Sequence, residues 1–201
     1  ATKAFFEALI SFATQHDLLI INDNPYAHIL NEEPLSILGF PSAKDVALEL
    51  QSLSKAYNMA GWRVGMVCGN QTHIQQILKV KSNMDSGMFY GIQQGAIAAL
   101  SQGIDWFDSI NDVYRSRREL ILKLAEALGT SFQKGTAGMF VWAKLPSGAA
   151  TSEAFVDNLL NEYHIFIAPG TIFGKAGEGY VRFSLCVTEA RIEEALKRIQ
   201  S

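Results

Sequence analysis

The sequence is poor in the residues that build covalent or metal frameworks. Its 201 residues include two cysteines, Cys68 and Cys186, and four histidines. No Cys/His spacing has the form of a metal site, so no metal is expected. Each cysteine sits in a strand-like apolar run, which reads as a buried free thiol of a reducing compartment and not as a disulfide. Basic clusters are also missing, and the net charge is −3, which argues against nucleic acid as a partner. No apolar run approaches the ~20 residues of a membrane span. The first ten residues carry Glu7 among apolar residues at helical spacing, so they read as an amphipathic helix and not as a signal peptide. The glycines do not form G-x-G-x-x-G, so no nicotinamide cofactor is expected. There is no internal repeat and no low-complexity segment.

What is present is apolar enough, at 48% hydrophobic residues, to build one ordinary domain or one and a half small ones. Residues 4–16 read as a helix with Phe5, Leu9, Phe12 and Ala13 on one face. Leu18-Leu19-Ile20-Ile21 is a short apolar run of the kind found in strands covered on both faces. It leads at once into Asn22-Asp23-Asn24-Pro25-Tyr26. Polar residues at the carboxyl end of a strand that follows a helix occupy the usual ligand position of an open α/β sheet, although the same residues also favour a plain turn. Residues 27–42 form a loop-rich connection in which His28 reads as solvated.

The most informative stretch runs from Ser52 to Gly65, SLSKAYNMAGWRVG. A strand, 46–53, ends in a small, polar turn, and a second apolar run, 64–68, leaves it. The turn presents Ser52, Ser54 and Lys55, with Arg63 eight residues past the lysine. Hydroxyls and a guanidinium suit a phosphate. Lys55 has no acidic neighbour in sequence, and the neutral amine needed for covalent chemistry is favoured by such surroundings.

Farther on, helical patterns cover 74–81 and 89–100, broken at Gly87. A long amphipathic helix covers 105–129, its apolar stripe made of Phe107, Ile110, Val113, Leu120, Leu124 and Leu128. Arg115, Arg117 and Arg118 read as its solvated face. The remainder reads as a small α+β domain. It has a strand at 138–146 with Met139 and Trp142 in the core, a helix at 152–163 and a short strand at 165–168. It ends with a strand around Arg182 and a last helix, 189–200, capped by Thr188. Arg182, in the middle of Tyr180-Val181-Arg182-Phe183-Ser184-Leu185, is costly to bury unpaired. It is either a structural ion pair or a bidentate grip on a carboxylate.

Together these three motifs resemble the class I/II, fold type I, aminotransferases that use pyridoxal 5′-phosphate. The wording of residues 52–65 resembles the branch holding alanine-type and LL-diaminopimelate-type enzymes. The resemblance implies an α/β fold. Residues 1–104 would be part of a large domain with a mainly parallel sheet, and residues 105–201 a small α+β domain that includes the long connecting helix. It implies a Schiff base between Lys55 and the cofactor, Asp23 on the pyridine nitrogen, Tyr26 on the phenolic oxygen, and Ser52, Ser54 and Arg63 on the phosphate. Arg182 would hold the substrate carboxylate. The implied reaction moves an amino group between an amino acid and a 2-oxo acid in a cytoplasmic homodimer. A β-lyase or decarboxylase on the same scaffold remains open, as does a stand-alone carboxylate-binding module. The family's Asn-Pro-Thr-Gly-like turn, phosphate-binding glycine turn, ring-stacking aromatic residue and N-terminal arm have no counterpart here. The resemblance therefore implies a C-terminal half, inactive by itself, that exposes core surface.

Overall fold

Glu49 shows how the first part of the chain is assembled. In the computed structural model, which describes residues 1–200, this carboxylate is only 4% exposed. Its Oε2 accepts from Asn22 Nδ2, Ser36 Oγ and the Ile37 N–H at 3.2, 2.8 and 2.9 Å, and its Oε1 accepts from Gln51 Nε2 at 2.7 Å. Four neutral donors replace the water that burial removed. They also tie together two neighbouring strands and the loop between them.

Those strands are β1, Ile20–Asp23, and β2, Ala47–Ser52, which pair in parallel with Asn22 opposite Glu49. A third strand, β3, Gly65–Cys68, pairs antiparallel to β2. The sheet order is β1-β2-β3, so the expected mainly parallel sheet here has one parallel and one antiparallel junction. Helix α1, Lys3–Gln15, is capped by Thr2, whose side chain accepts from the Phe5 N–H. It buries Phe6, Ile10 and Ala13, while Phe5 and Phe12 are exposed. The face differs from the expected one because α1 is apolar around most of its circumference, so spacing alone does not select the buried stripe. Phe6 and Ile10 pack with Ile37, Ala43 and Ala47. Ala43 begins the one-turn helix α2, Ala43–Val46, which leads straight into β2.

The other face of β1 is bare. Ile21, Leu18 and Leu19 are exposed, so the expected cover on both sides is absent among the described residues. After β2 come the short helix α3, Leu53–Ala56, and a 3-10 turn, Ala60–Trp62. Beyond β3 lie α4, Gln71–Lys81, and α5, Tyr90–Leu100, with Gly87 between them at φ +111°. Helix α4 starts earlier than its apolar pattern because the Asn70 side chain caps the His73 N–H at 3.0 Å. Neither α4 nor α5 buries a single residue. Leu78, Val80, Met84, Phe89, Tyr90 and Ile97 all stand exposed. The expected exposure of core-type surface is present.

Two compact units result. The first spans Ala1–Phe107 and the second begins at Asp108. The junction falls in α6, Ile104–Ala127. In the second unit α6 buries Tyr114, Ile121, Leu124 and Ala125, and Val113 is exposed. Its arginines are engaged one by one. Arg115 pairs with Asp112, Arg117 with Glu189 and the Leu185 carbonyl, and Arg118 with the Thr136 carbonyl.

The second sheet is formed by β4, Ser131–Phe132, β5, Phe140–Lys144, β6, Ala168–Pro169, and β7, Tyr180–Ser184, in the order β4-β5-β7-β6. All its pairings are antiparallel. The strand expected at 165–168 is confined to Ala168–Pro169, where pairing with β7 begins. Val141, Ala143, Val181 and Phe183 are buried on one side. Helices α7, Ser152–Tyr163, and α8, Glu189–Gln200, complete the unit, and α7 buries Val156 and Leu159, α8 Ile192. Thr151 caps α7 through the Ala154 N–H, and the Thr188 carbonyl accepts from Arg191 and Ile192 at the start of α8. Met139 is core as expected, but Trp142 is 41% exposed on the outer side. Both cysteines are free thiols, Cys68 half-buried and Cys186 exposed just past β7, so Cys186 is not the buried thiol expected. No helix among the described residues is long and apolar enough to cross a membrane.

Glu49→Ala leaves buried donors unpaired and is expected to lower unfolding free energy by about 3 kcal/mol. Urea unfolding followed by circular dichroism measures this. A second prediction concerns Glu178, whose carboxylate accepts from Ser152 N–H and Oγ and from Gly179 N–H. The Ser152 N–H above all holds its pKa below the ordinary 4.5. A depressed acid stabilises the fold above its unfolded value, and that contribution fades as pH falls through the lower folded value. The stability gap between wild type and Glu178→Gln is therefore expected to be constant above pH 4.5 and to shrink below it. A gap independent of pH would refute this assignment.

Candidate functional site

In the first unit the parallel pairing brings the carboxyl ends of β1 and β2 to the same edge. Asp23 is the last residue of β1, opposite Leu50, and the Asn24 N–H still reaches the Leu50 carbonyl at 3.0 Å. Asn24 Nδ2 then donates to the Leu35 carbonyl at 3.1 Å, which fixes the loop leaving the strand. Tyr26 lies in the turn that follows, its carbonyl accepting from the Ile29 N–H. Asp23 itself is exposed.

Ser52 ends β2 and caps α3. Its Oγ accepts from the Ser54 N–H at 3.1 Å and donates to the Val64 carbonyl at 3.4 Å. Lys55 sits one turn on, half-buried, with Nζ 5.9 Å from the centre of the Tyr26 ring. Two residues from separate elements are thus brought together, and Lys55 has no acidic partner among the described residues. The Ser54 hydroxyl likewise has no protein partner among them.

Spacing did not single out what holds α3 in place. Trp106 Nε1 donates to the Ala56 carbonyl at 2.9 Å, at the carboxyl end of the lysine's helix. The next residue, Phe107, takes the edge of Tyr57 at 5.4 Å and stacks on His28 at 4.7 Å. His28 is therefore half-buried and not a solvated loop residue, and burial pushes its pKa down. A Trp-Phe pair at the start of a long helix carries no sequence signal beyond apolarity, so only coordinates reveal this support.

Arg63 follows the 3-10 turn with a left-handed backbone, φ +56°. It is exposed, and its Nη1 donates to the Ala60 carbonyl at 2.9 Å. That bond steadies the guanidinium and leaves its other donors for a ligand. Gly65 is required where β3 meets β2, because a Cβ there would stand 2.8 Å from the Gln51 carbonyl oxygen.

Arg182 belongs to the second unit, in the middle of β7 and opposite Trp142. Its guanidinium carbon lies 4.0 Å from the Phe140 ring centre and 4.3 Å from that of Phe173. Among the described residues no carboxylate pairs with it, so the structural ion pair considered from the sequence is not formed. A half-buried guanidinium held by rings keeps its N–H donors available to an anion.

The first edge thus offers an amine, a phenol, a carboxylate, hydroxyls and a guanidinium, and the second unit a lone guanidinium. The family described as "Aminotransferase class I and II" matches residues 1–199. The LL-diaminopimelate aminotransferase of Oleidesulfovibrio alaskensis is 43% identical over all of this chain and 52% of its own length. That of Aquifex aeolicus is 41% identical over 100% of this chain and 52% of its own. Among solved structures, substrate-bound BacF from Bacillus subtilis superposes with a TM-score of 0.93 at 36% identity, covering 100% of this chain and 51% of that one. The aromatic aminotransferase of Pyrococcus horikoshii gives 0.91 at 29% identity, over 100% and 55%. The chain spans about half the length of the relatives it matches. With its strand-turn-lysine edge and nearly its whole length covered by one family, it belongs to the class I and II aminotransferases.

Proposed function

We propose that the protein, at full length, transfers an amino group between an amino acid and a 2-oxo acid. The observation that carries this reading is the meeting of Lys55 and Tyr26 at the carboxyl edge of the parallel strands, with no acid neutralising the lysine among the described residues. The family's cofactor is pyridoxal 5′-phosphate, and the donor set fits it. Lys55 would hold it covalently, Asp23 would bond its ring nitrogen and Tyr26 its phenolic oxygen. Ser52, Ser54 and Arg63 would bind its phosphate, with Arg63 already steadied through Ala60. When bound, the cofactor supplies an aldehyde carbon and an electron-accepting ring.

The remaining chemistry is the protein's. Asp23 would keep a proton on the ring nitrogen it bonds. Arg182 fixes the substrate carboxylate through a planar fork and so orients the Cα–H bond. The Lys55 amine takes that proton as general base. Trp106 and Phe107 keep its helix from shifting. LL-diaminopimelate is the first donor to assay, since several relatives at 41–43% identity bear that name. A cytoplasmic location and a homodimer are part of the same reading. The homodimer is supported by the bare apolar surfaces of α4 and α5.

Those surfaces also favour a second reading for the 201-residue chain by itself, namely an inactive piece with weak cofactor affinity. Titrating it with pyridoxal 5′-phosphate is expected to give no stable visible absorption band. A tight, stoichiometric band would discard that second reading. At full length, Lys55→Ala is expected to lower turnover at least ~10³-fold and to remove the visible absorption of the bound cofactor. Turnover near the wild-type level would end the role given to Lys55.

A further inference from the structure

The outer side of the second sheet carries an aromatic group that the fold does not need. Phe140 and Trp142 on β5 alternate to that side, as do Tyr180, Arg182 and Ser184 on β7. Trp142 stacks on Tyr180 at 5.5 Å and 16° and meets Phe173 edge-on at 5.7 Å and 68°. Trp142 is 41% and Phe173 50% exposed, so these rings contribute little to the core.

Backbone contacts shape the loop that carries Phe173. Two 3-10 turns, Gly170–Phe173 and Lys175–Gly177, form its loop. Gly170 and Gly177 press main chain against main chain across the loop's neck. A Cβ on Gly170 would stand 2.1 Å from the Gly177 oxygen, and one on Gly177 would stand 2.0 Å from the Gly170 oxygen. Gly174, directly after Phe173, takes φ +119°, a conformation that other residues resist. The Gly174 and Gly177 N–H groups close the loop onto the Thr171 and Gly174 carbonyls, both at 2.9 Å.

The loop therefore sets its phenyl ring against the Arg182 guanidinium. A guanidinium holds all five donors in its own plane, and its faces carry none. Rings at 4.0 and 4.3 Å from the central carbon engage it without using a donor. They also restrict a side chain that would otherwise lose rotamer freedom on binding.

We propose that Phe173, assisted by Phe140, is a positioning residue: it pre-sets the plane of the Arg182 guanidinium and thereby sets the affinity for the substrate carboxylate. This deepens the reading of Arg182 as the carboxylate anchor and rests on it. Phe173 touches Arg182 and would act through it.

The test uses propionate, a carboxylate without an amino group, and the Arg182 Nε–H resonance of ¹⁵N-arginine-labelled full-length protein, assigned by its loss in Arg182→Lys. In wild type this resonance is expected upfield, shielded by the rings, and it moves as propionate binds. Phe173→Leu, at a half-exposed position that leaves the fold intact, is expected to weaken propionate about fivefold. KM for the amino donor should rise by a similar factor with kcat within about twofold, and Phe173→Tyr, which keeps the ring, should restore both. Equal propionate affinity in wild type and Phe173→Leu overturns the proposal. So does equal weakening by Leu and Tyr, or a resonance that propionate does not move. Phe173-dependent propionate binding in a protein without transaminase turnover would support the positioning role and remove only the reaction. Turnover with a propionate affinity indifferent to Phe173 would do the reverse.

Discussion

A buried carboxylate with no cation beside it among the described residues decides how the first unit is put together. Glu49 is satisfied only if Asn22 on β1, Gln51 on β2 and the Ser36–Ile37 turn all bring a donor to it at once. A one-residue slip of β1 against β2 would carry Asn22 to the other face and leave the carboxylate short of a partner. The parallel register is thus specified by a polar requirement as well as by the apolar contacts of Ile20 and Ala47. Everything placed at the carboxyl edge inherits that precision: Asp23 at the end of one strand, Ser52 at the end of the other, and Lys55 one turn beyond.

How much of this the sequence discloses depends on whether the cause is local. The turn carrying Ser52, Ser54 and Lys55 is legible because strand, cap and helix follow within a few residues, and the Ser52 cap is itself local. The start of helix α7 is set just as locally, by the Thr151 side chain. Helix faces are less so. Residues 3–15 offer Phe5, Phe6, Leu9, Ile10 and Phe12 all round, and only the partner surface selects Phe6 and Ile10. The role of Glu49 is invisible in one dimension, since its donors come from three separate segments. The support given to α3 by Trp106 is equally hidden, because donor and acceptor lie 50 residues apart. Trp142 illustrates a bias: a tryptophan in an alternating strand reads as core, yet its register with Arg182 puts it on the outer face.

The arginines of the second unit differ in how the fold engages them, more sharply than sequence context discloses. Arg117 is held by Glu189 and a carbonyl. The Glu189 carboxyl, held chiefly by its own backbone N–H and then by Arg117, stays below the ordinary range. Arg115 pairs with Asp112 on its own helix, and Arg118 reaches the Thr136 carbonyl. Arg182 finds rings instead. A charge that the fold leaves without a counter-ion among the described residues, and yet fixes in orientation, has had its desolvation met only in part. The missing part is what an incoming anion would supply under the proposed reading of Arg182 as a carboxylate anchor.

The same contrast bears on the surface. Where the fold has a use for a large apolar side chain it buries it, as with Ile29, Ile37 and Leu53 in the first unit and Phe183 and Leu185 in the second. The exposed rings fall into two groups with different logic. Phe89, Tyr90 and Met84 stand on or between helices that bury nothing, as expected of surface meant to be covered by more protein. Phe173 and Trp142 stand on a face where a backbone-locked loop and a strand register hold them in contact with one another and, through Phe173, with a cation. The first group is consistent with the proposed interface, and the second, with its ring-ring and ring-cation contacts, with the proposed positioning of Arg182.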